Sequence, residues 1–521
     1  MSKQPNFVFF ITDQQRADWL GCYGHPVVKT PNIDAIAASG TRFTNFHTAS
    51  PVCMPNRASL MTGRYPSVHG LRYNGGSLSS DANTFVDVLA AGGYNTAMIG
   101  KSHLRPFLDF PAVRPEDTTF RHYSEAWKSE ENRVGPEHPD NYEADVRYEV
   151  PTPFYGFKHV DMVTGHGDQC GGHYQQWFRQ QAADYRELLN RDNQLSHNYS
   201  CPQAYRTPIP EELYSTAYIG KQAREYIQQQ ESSKQPFFLF ISFPDPHHPF
   251  NPPGRYWDMY RPEQFECSLP FESHKNPTPP MTYMHDQWQK STSAQALATT
   301  GMMTDQDNIT QVMALTAGMI GMIDDTVGSV VDELKANDLY DNSVLSFTTD
   351  HGDYLGDFNM LLKGSLPFRS ITRVPMIWSD PESRQASTSA ALGSTVDISA
   401  TILERAGLAA YRGLQGRSFM ACMNNSASLN ENLLVEYNDG VARLGFEQPA
   451  RVRSLITDSY RLTIYKNQPW GELYDLVNDP NETYNRWLDD SYSATKTDLL
   501  LKLNQRLFDL MDESPQSLYL A

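Results

Sequence analysis

Asn6-Phe-Val-Phe-Phe-Ile-Thr12 is followed at once by Asp13-Gln14-Gln15-Arg16. A short, nearly unbroken apolar run that stops on polar side chains reads as a buried strand. Outward from it the pattern repeats. Thr30-Pro31-Asn32 opens a helix that Gly40 closes, residues 84–91 form a helix stopped by Gly92-Gly93, and residues 94–99 form a strand. Residues 236–243 and 344–349 are further strands, with a long helical pattern over 311–334 between them. Alternating strands and helices predict an α/β sandwich, a sheet covered by helices. Asp13, Lys101, Asp245 and Asp350 sit where strands end, and open α/β sheets bind ligands just beyond those carboxyl ends. Four strand ends therefore point to one crevice.

Two segments break the rhythm, about 105–210 and 251–310, both polar and rich in Pro, His and aromatic residues. They read as insertions roofing the crevice, although for any one residue in them an ordinary surface loop is the simpler reading. From Gly413 the character changes: residues 452–457, 460–465 and 472–476 read as short antiparallel strands and 494–511 as a helix. The 521 residues exceed one ordinary core. We therefore expect a catalytic domain over 1–410 and a smaller α+β subdomain over 411–521.

With 40% apolar and 12% aromatic residues the chain is not disordered, and its apolar stretches read as strand-length, short of a bilayer span. A soluble globular protein is expected. The formal charge of -18 argues against nucleic acid or an anionic membrane as partner. An anionic substrate would need positive charge gathered locally. Because the first strand starts at Asn6, no leader is visible; the chain as written reads as cytoplasmic, and as periplasmic or secreted if a leader was removed. The six cysteines are scattered, and for Cys22, Cys170, Cys201, Cys267 and Cys422 the simple reading is a buried or free thiol.

Cys53 is different. In Ser50-Pro-Val-Cys53-Met-Pro55-Asn-Arg57-Ala-Ser-Leu-Met-Thr-Gly63-Arg64 it immediately precedes a helical stretch. The positive end of a helix dipole favours a developing oxyanion, and Arg57, one turn on, adds a full charge. The Cys-x-Pro-x-Arg element and its Ala-Ser-Leu-Met-Thr-Gly continuation resemble the signature of the type I, formylglycine-dependent sulfatases of the alkaline phosphatase superfamily. The resemblance implies an alkaline-phosphatase-like mixed sheet sandwiched by helices. It also implies that a maturation enzyme converts Cys53 to formylglycine, whose hydrate is the nucleophile, with Arg57 stabilising it. Asn56 departs from the small Ser or Ala common there, so the maturation enzyme must tolerate it.

The ends of the first strand and of 344–349 resemble the family's paired metal-binding elements. The implied ligands of one divalent cation are Asp13, Gln14, Asp350 and His351, with the modified Cys53. Many relatives carry Asp-Asp and Asp-Asn there, so Gln14 and His351 replace oxygen-rich ligands; calcium is the expected ion, with manganese or magnesium as alternatives. Gly100-Lys101-Ser-His103-Leu and Asp245-Pro-His247-His248-Pro match two further family elements, and Lys363 fits the remaining lysine. Taken alone, each of these histidines reads as a structural hydrogen-bonding residue.

In the implied mechanism Arg57, Lys101 and Lys363 bind sulfate oxygens, and a hydrate hydroxyl attacks sulfur while the metal polarises a sulfate oxygen. His247, helped by Lys363, protonates the leaving alcohol. His103 then deprotonates the second hydroxyl and sulfate is eliminated. Arg72, Asn74 and His248 are candidate substrate contacts. Residues 472–476 and the Asn478-Asp-Pro turn resemble the family's closing hairpin.

The resulting expectation is a sulfatase acting on an anionic sulfate ester, either a sulfated saccharide or an aryl sulfate. Trp127, His166, His173, Tyr174, Trp177 and Trp257 in the roof segments are available to stack on a ring. A phosphonate monoester or phosphodiester hydrolase of the same superfamily also carries Asp-Gln and Asp-His pairs and is the alternative, although such relatives typically have uncharged groups in place of Lys101 and His103. A non-catalytic binding protein on the same scaffold is the alternative of another class.

Overall fold

The strand Asn6–Thr12 runs through the middle of the main sheet with all seven residues buried. Successive side chains point to opposite faces. Phe7, Phe9 and Ile11 pack with Phe238 and Phe240 beneath the helices Cys53–Thr62, Phe85–Ala91 and Asp397–Arg405. Val8 and Phe10 pack with Ile99, Leu239 and Ile241 beneath Pro31–Ala38, Ser215–Gln230 and Gln306–Ala336. A strand apolar without a break from Phe7 to Ile11 is explained by helices on both faces. The computed structural model describes residues 4–108, 135–231, 233, 235–290, 300–423 and 428–517.

Among the described residues the main sheet has nine strands, in the order Ser387–Ser389, Thr41–Phe43, Met376–Ser379, Ser343–Thr349, Asn6–Thr12, Phe237–Ser242, Asn95–Gly100, His159–Thr164 and Gly171–Gly172. The five from Ser343–Thr349 to His159–Thr164 are mutually parallel. Met376–Ser379 and Gly171–Gly172 add antiparallel pairings, so the sheet is mixed, as expected.

Two expectations change. Part of the 105–210 segment is sheet, not roof: His159–Thr164 pairs with Asn95–Gly100. Its His159 and Asp161 masked the apolar pattern. Asp161 is buried there because Tyr218 donates to its carboxylate at 2.7 Å and Arg147 at 2.9 Å. The second change concerns the apolar stretches. Gln306–Ala336 is by length and composition able to cross a membrane, yet it lies inside the protein against the sheet. Its single deeply buried acid, Asp324, accepts from the backbone N–H groups of Asn32 and Ile33 and so caps the neighbouring helix.

The C-terminal region forms a separate antiparallel sheet, Leu433–Asn438, Arg451–Ile456, Tyr460–Tyr465 and Gly471–Asp475. The helix Ser493–Phe508 lays Leu499 and Leu503 on Leu434, Leu455, Leu462 and Leu473. The other face, through Tyr437, Val452, Tyr465 and Tyr474, packs on Tyr354, Phe358 and Phe368. Leu433–Asn438 was not anticipated. It anchors this sheet beside the Cys53 helix, where Glu436 accepts from Ser67 N at 2.7 Å and donates its own N–H to Ala49 O at 2.9 Å.

Candidate active site

Each of the five parallel strands ends in the same crevice, one more than the sequence indicated. Their ends carry Asp350 and His351, Asp13 and Gln14, Asp245 to His248, Lys101 and His103, and His166. Cys53 is the first residue of its helix, and Gly63, in the left-handed region at φ 59, ends it. Asn74 Oδ1 accepts from the Met54 N–H at 3.1 Å. The expected substrate contact Asn74 therefore satisfies one of the free donors at that helix terminus, while Arg72 lies at the surface with its carbonyl accepting from Asn438.

Asp13, Cys53, Asp350 and His351 present ligand atoms all within 4.8 Å of one another, and all four residues are buried. His351 Nδ1 lies 2.8 Å from Gly352 O and must donate to it, which leaves the Nε2 lone pair facing Cys53 Sγ at 3.1 Å. Burial pushes His351 down to about 4, so that lone pair stays free at neutral pH. Two buried carboxylates, an unprotonated nitrogen and the residue 53 position together make a donor set that fits a divalent cation. Gln14 stands beside this group rather than opening into it. Its Oε1 accepts from Lys363 Nζ at 2.7 Å, and its Nε2 donates to Asp353 at 2.6 Å and to His248 Nδ1 at 3.2 Å.

Around these acids the expected cations converge. Arg57 Nε donates to Asp350 at 2.7 Å, and its NH1 to Ser242 Oγ at 2.8 Å and Lys101 O at 3.1 Å. Lys101 Nζ contacts Asp13 Oδ2 and lies 2.6 Å from His166 Nε2. Lys363 Nζ reaches Gln14, His247 Nε2 at 2.7 Å and Cys53 Sγ at 3.3 Å. Burial alone would raise the Asp13 carboxyl, but Lys101, Lys363, Arg57 and His351 hold it well below the usual range. The Cys53 thiol is pushed up to about 12, first by burial and then by Asp13. An unmodified thiolate is thus not available at neutral pH.

His247 is fixed by donation from Nδ1 to His248 O at 2.6 Å and by the Lys363 bond at Nε2. His103 adopts φ 58. Its backbone N–H, with those of Leu104 and Arg105, is held by Glu137. Burial raises Glu137 to about 7 against these three donors. Glu137, Asp353 and Ser242 were not recognised from the sequence as parts of this site, and His166, read only as a ring able to stack on substrate, instead contacts Lys101 and His247. Acids and hydroxyls far apart in the chain carry no local signal.

The remaining roof candidates do not open onto the crevice as free rings. His173, Tyr174 and Trp257 are buried, with Trp257 stacked on Tyr199 at 5.4 Å. Trp177 packs on Tyr218 at 5.0 Å, and Trp127 lies outside the described residues.

Asn56, the departure in the signature, has a structural role. Its Oδ1 accepts from Ala49 N at 3.1 Å and Thr395 Oγ1 at 2.7 Å, and its Nδ2 donates to Asp350 O at 2.5 Å. Asn56→Ala would remove three buried hydrogen bonds, each worth about 1 kcal/mol net, and leave the Thr395 hydroxyl proton unmet, although Ala49 N–H keeps Thr395 Oγ1 and Asp350 O keeps Thr48 Oγ1. We expect a fall of about 3 kcal/mol in unfolding free energy from urea titration, with Cys53→Ala as a control for non-specific effects at this helix. A loss below about 0.5 kcal/mol, the level of an ordinary surface change, would show that these bonds contribute little.

The Sulfatase family model matches residues 5–408. The chain belongs to the sulfatase family. A second model, N-sulphoglucosamine sulphohydrolase, C-terminal, matches residues 363–510 of this sulfatase. The sulfatase is 27% identical over 515 residues to the uncharacterized sulfatase YidJ of Escherichia coli (strain K12), a match covering 98% of this chain and 88% of that one. The phosphonate monoester hydrolase of Agrobacterium radiobacter is similar in structure at a TM-score of 0.75 and 22% identity, covering 98% of this chain and 97% of that one. A protein solved in complex with its substrate D-glucosamine-2-N,6-O-disulfate matches at a TM-score of 0.67 and 19% identity, covering 99% and 100% of the two chains. These likenesses establish the alkaline-phosphatase-like fold of the sulfatases, with its separate C-terminal sheet. As a member of the family the protein is a sulfuric ester hydrolase.

Proposed function

We propose that this sulfatase hydrolyses sulfate monoesters of saccharides at a centre built on Cys53 in its formylglycine form, installed by a maturation enzyme. The observation that carries the reading is the cationic cradle. Arg57, Lys101 and Lys363 are buried around residue 53 in a protein whose overall charge is -18. Such a concentration of positive charge suits a compact anion. A divalent cation, calcium with manganese or magnesium as alternatives, would be held by Asp13, Asp350, His351 and residue 53 and would polarise a sulfate oxygen, with Gln14 beside it steadying Lys363.

The chain's own residues have distinct tasks in this reading. Arg57 steadies the oxygen carried by residue 53, and Lys101 and Lys363 bind sulfate oxygens. His247 and Lys363 share a proton across 2.7 Å and deliver it to the departing alcohol. His103, neutral because burial and Lys101 hold it well below the usual histidine range, takes a proton from the hydrate of residue 53. The saccharide assignment is supported by the match to the N-sulphoglucosamine sulphohydrolase C-terminal model and by the structural relative bound to a sulfated glucosamine.

Gln14 and His351 favour a second reading, hydrolysis of phosphonate monoesters or phosphodiesters; Lys101 and His103 oppose it. Comparison of kcat/KM on matched substrates tests the two. Sulfate monoesters are expected to be faster by at least about a hundredfold, the equivalent of one or two charge-assisted contacts. The reverse order would move the assignment to the phosphonate reading. Mass analysis of the Cys53 peptide checks the conversion independently, and a peptide found wholly as cysteine in active enzyme would refute the proposed nucleophile.

A further inference from the structure

We propose that His166 is a positioning residue for both Lys101 and His247, a role that rests on the sulfatase reading above. His166 follows the strand His159–Thr164 in the turn Thr164-Gly165-His166-Gly167. Gly167 adopts φ 57, and a Cβ there would lie 2.6 Å from Asn251 Oδ1, so the turn is committed to a glycine. It brings His166 back over the ends of the neighbouring strands.

Two independent contacts define what His166 holds. Its Nε2 lies 2.6 Å from Lys101 Nζ. An ammonium only donates, so Nε2 is the acceptor and the His166 proton sits on Nδ1. With Asp13 taking a second N–H, the wholly buried Lys101 has one N–H left for a sulfate oxygen. The second contact is to His247. The His166 ring stacks on it with centroids 3.6 Å apart and planes at 13°, and His248 covers the opposite face at 4.0 Å and 25°. His247 is thereby clamped on both faces, while its edge is held by Lys363 and His248 O. A proton donor must be held in register with the departing oxygen, and a ring clamped in this way cannot turn out of line. The His166 side chain is 19% exposed, so it borders the crevice and is not simply core.

Two substitutions separate the contacts. His166→Phe keeps a ring on His247 but removes the acceptor for Lys101; His166→Gln keeps an acceptor and removes the ring. For His166→Phe we expect KM to rise about tenfold or more on every sulfate ester, the loss of one charge-assisted bond. For His166→Gln we expect KM to hold and kcat/KM to fall about tenfold or more on alkyl and sugar sulfates, whose alcohols need a proton, with nitrophenyl sulfate nearly unaffected. Thermal midpoints and the formylglycine content of residue 53 are measured on each variant, so that misfolding or incomplete maturation is corrected for. Equal losses on both substrate types in both variants, or wild-type kinetics in His166→Ala, would overturn the proposal. If the wild-type enzyme instead turns over phosphonate esters and not sulfate esters, the sulfatase reading fails, and the same variants on aryl and alkyl phosphonates still decide the role of His166.

Discussion

Cys53→Ala is expected to lower sulfate-ester turnover by about three orders of magnitude or more, the scale on which removal of a nucleophile acts even when the rest of a site persists. The residue is buried as the first of a helix whose every member is buried, and the substitution removes only a sulfur atom. The helix, Arg57 and the Asp350 contact should survive it, so thermal stability measured with chelator present should change little. Cys53→Ser sharpens the test. A serine hydroxyl can attack, but it has no second hydroxyl to release the sulfate by elimination. A single stoichiometric burst of alcohol followed by arrest is therefore expected. Steady turnover by the Ala variant would show that residue 53 is not the nucleophile. Full turnover by the Ser variant would show that a hydrate is not needed.

Asp13→Asn is expected to be the most damaging isosteric change in the protein. One oxygen of the Asp13 carboxylate contacts Lys101 and lies 3.6 Å from Arg57, and the other is 3.5 Å from Cys53 Sγ. The amide keeps the shape and removes the charge. Lys101 then loses its carboxylate partner, while Arg57 keeps Asp350 at 2.7 Å. Breaking a buried pair by removing one member costs about 3–5 kcal/mol, because the other charge is left uncompensated. That loss should appear in urea unfolding at neutral pH with chelator present, where a bound metal makes no contribution. Without chelator, metal content should fall as well. Retention of both stability and metal would remove Asp13 from the centre of the site.

Much of the catalytic framework could be read from the chain. The strand before Asp13, the helix after Cys53 and the pairs at Lys101 and Asp350 are local patterns, in which an apolar run stops on a chemical group, and the structure brings those groups together. The strand His159–Thr164 was hidden because its buried Asp161 is compensated by Tyr218 and Arg147, residues distant in sequence. Glu137 is similar, since a buried carboxylate holding three backbone N–H groups looks in sequence like any surface acid. The aromatic residues of the roof segments misled in the opposite direction. Composition shows that rings are present but not which face of a ring is covered.

The sequence alone determined the sulfatase signature, the α/β alternation and the identities of the groups at four strand ends, because each is encoded within a few consecutive residues. Tertiary structure decided that a fifth strand end brings His166 onto Lys101 and His247, that Gln14 is committed to Lys363, and that Asn56 is a brace between strand end and helix. Those outcomes depend on which partners lie within about 3 Å across the sheet, and hydrogen bonding at that range is fixed by packing between distant segments and not by local pattern.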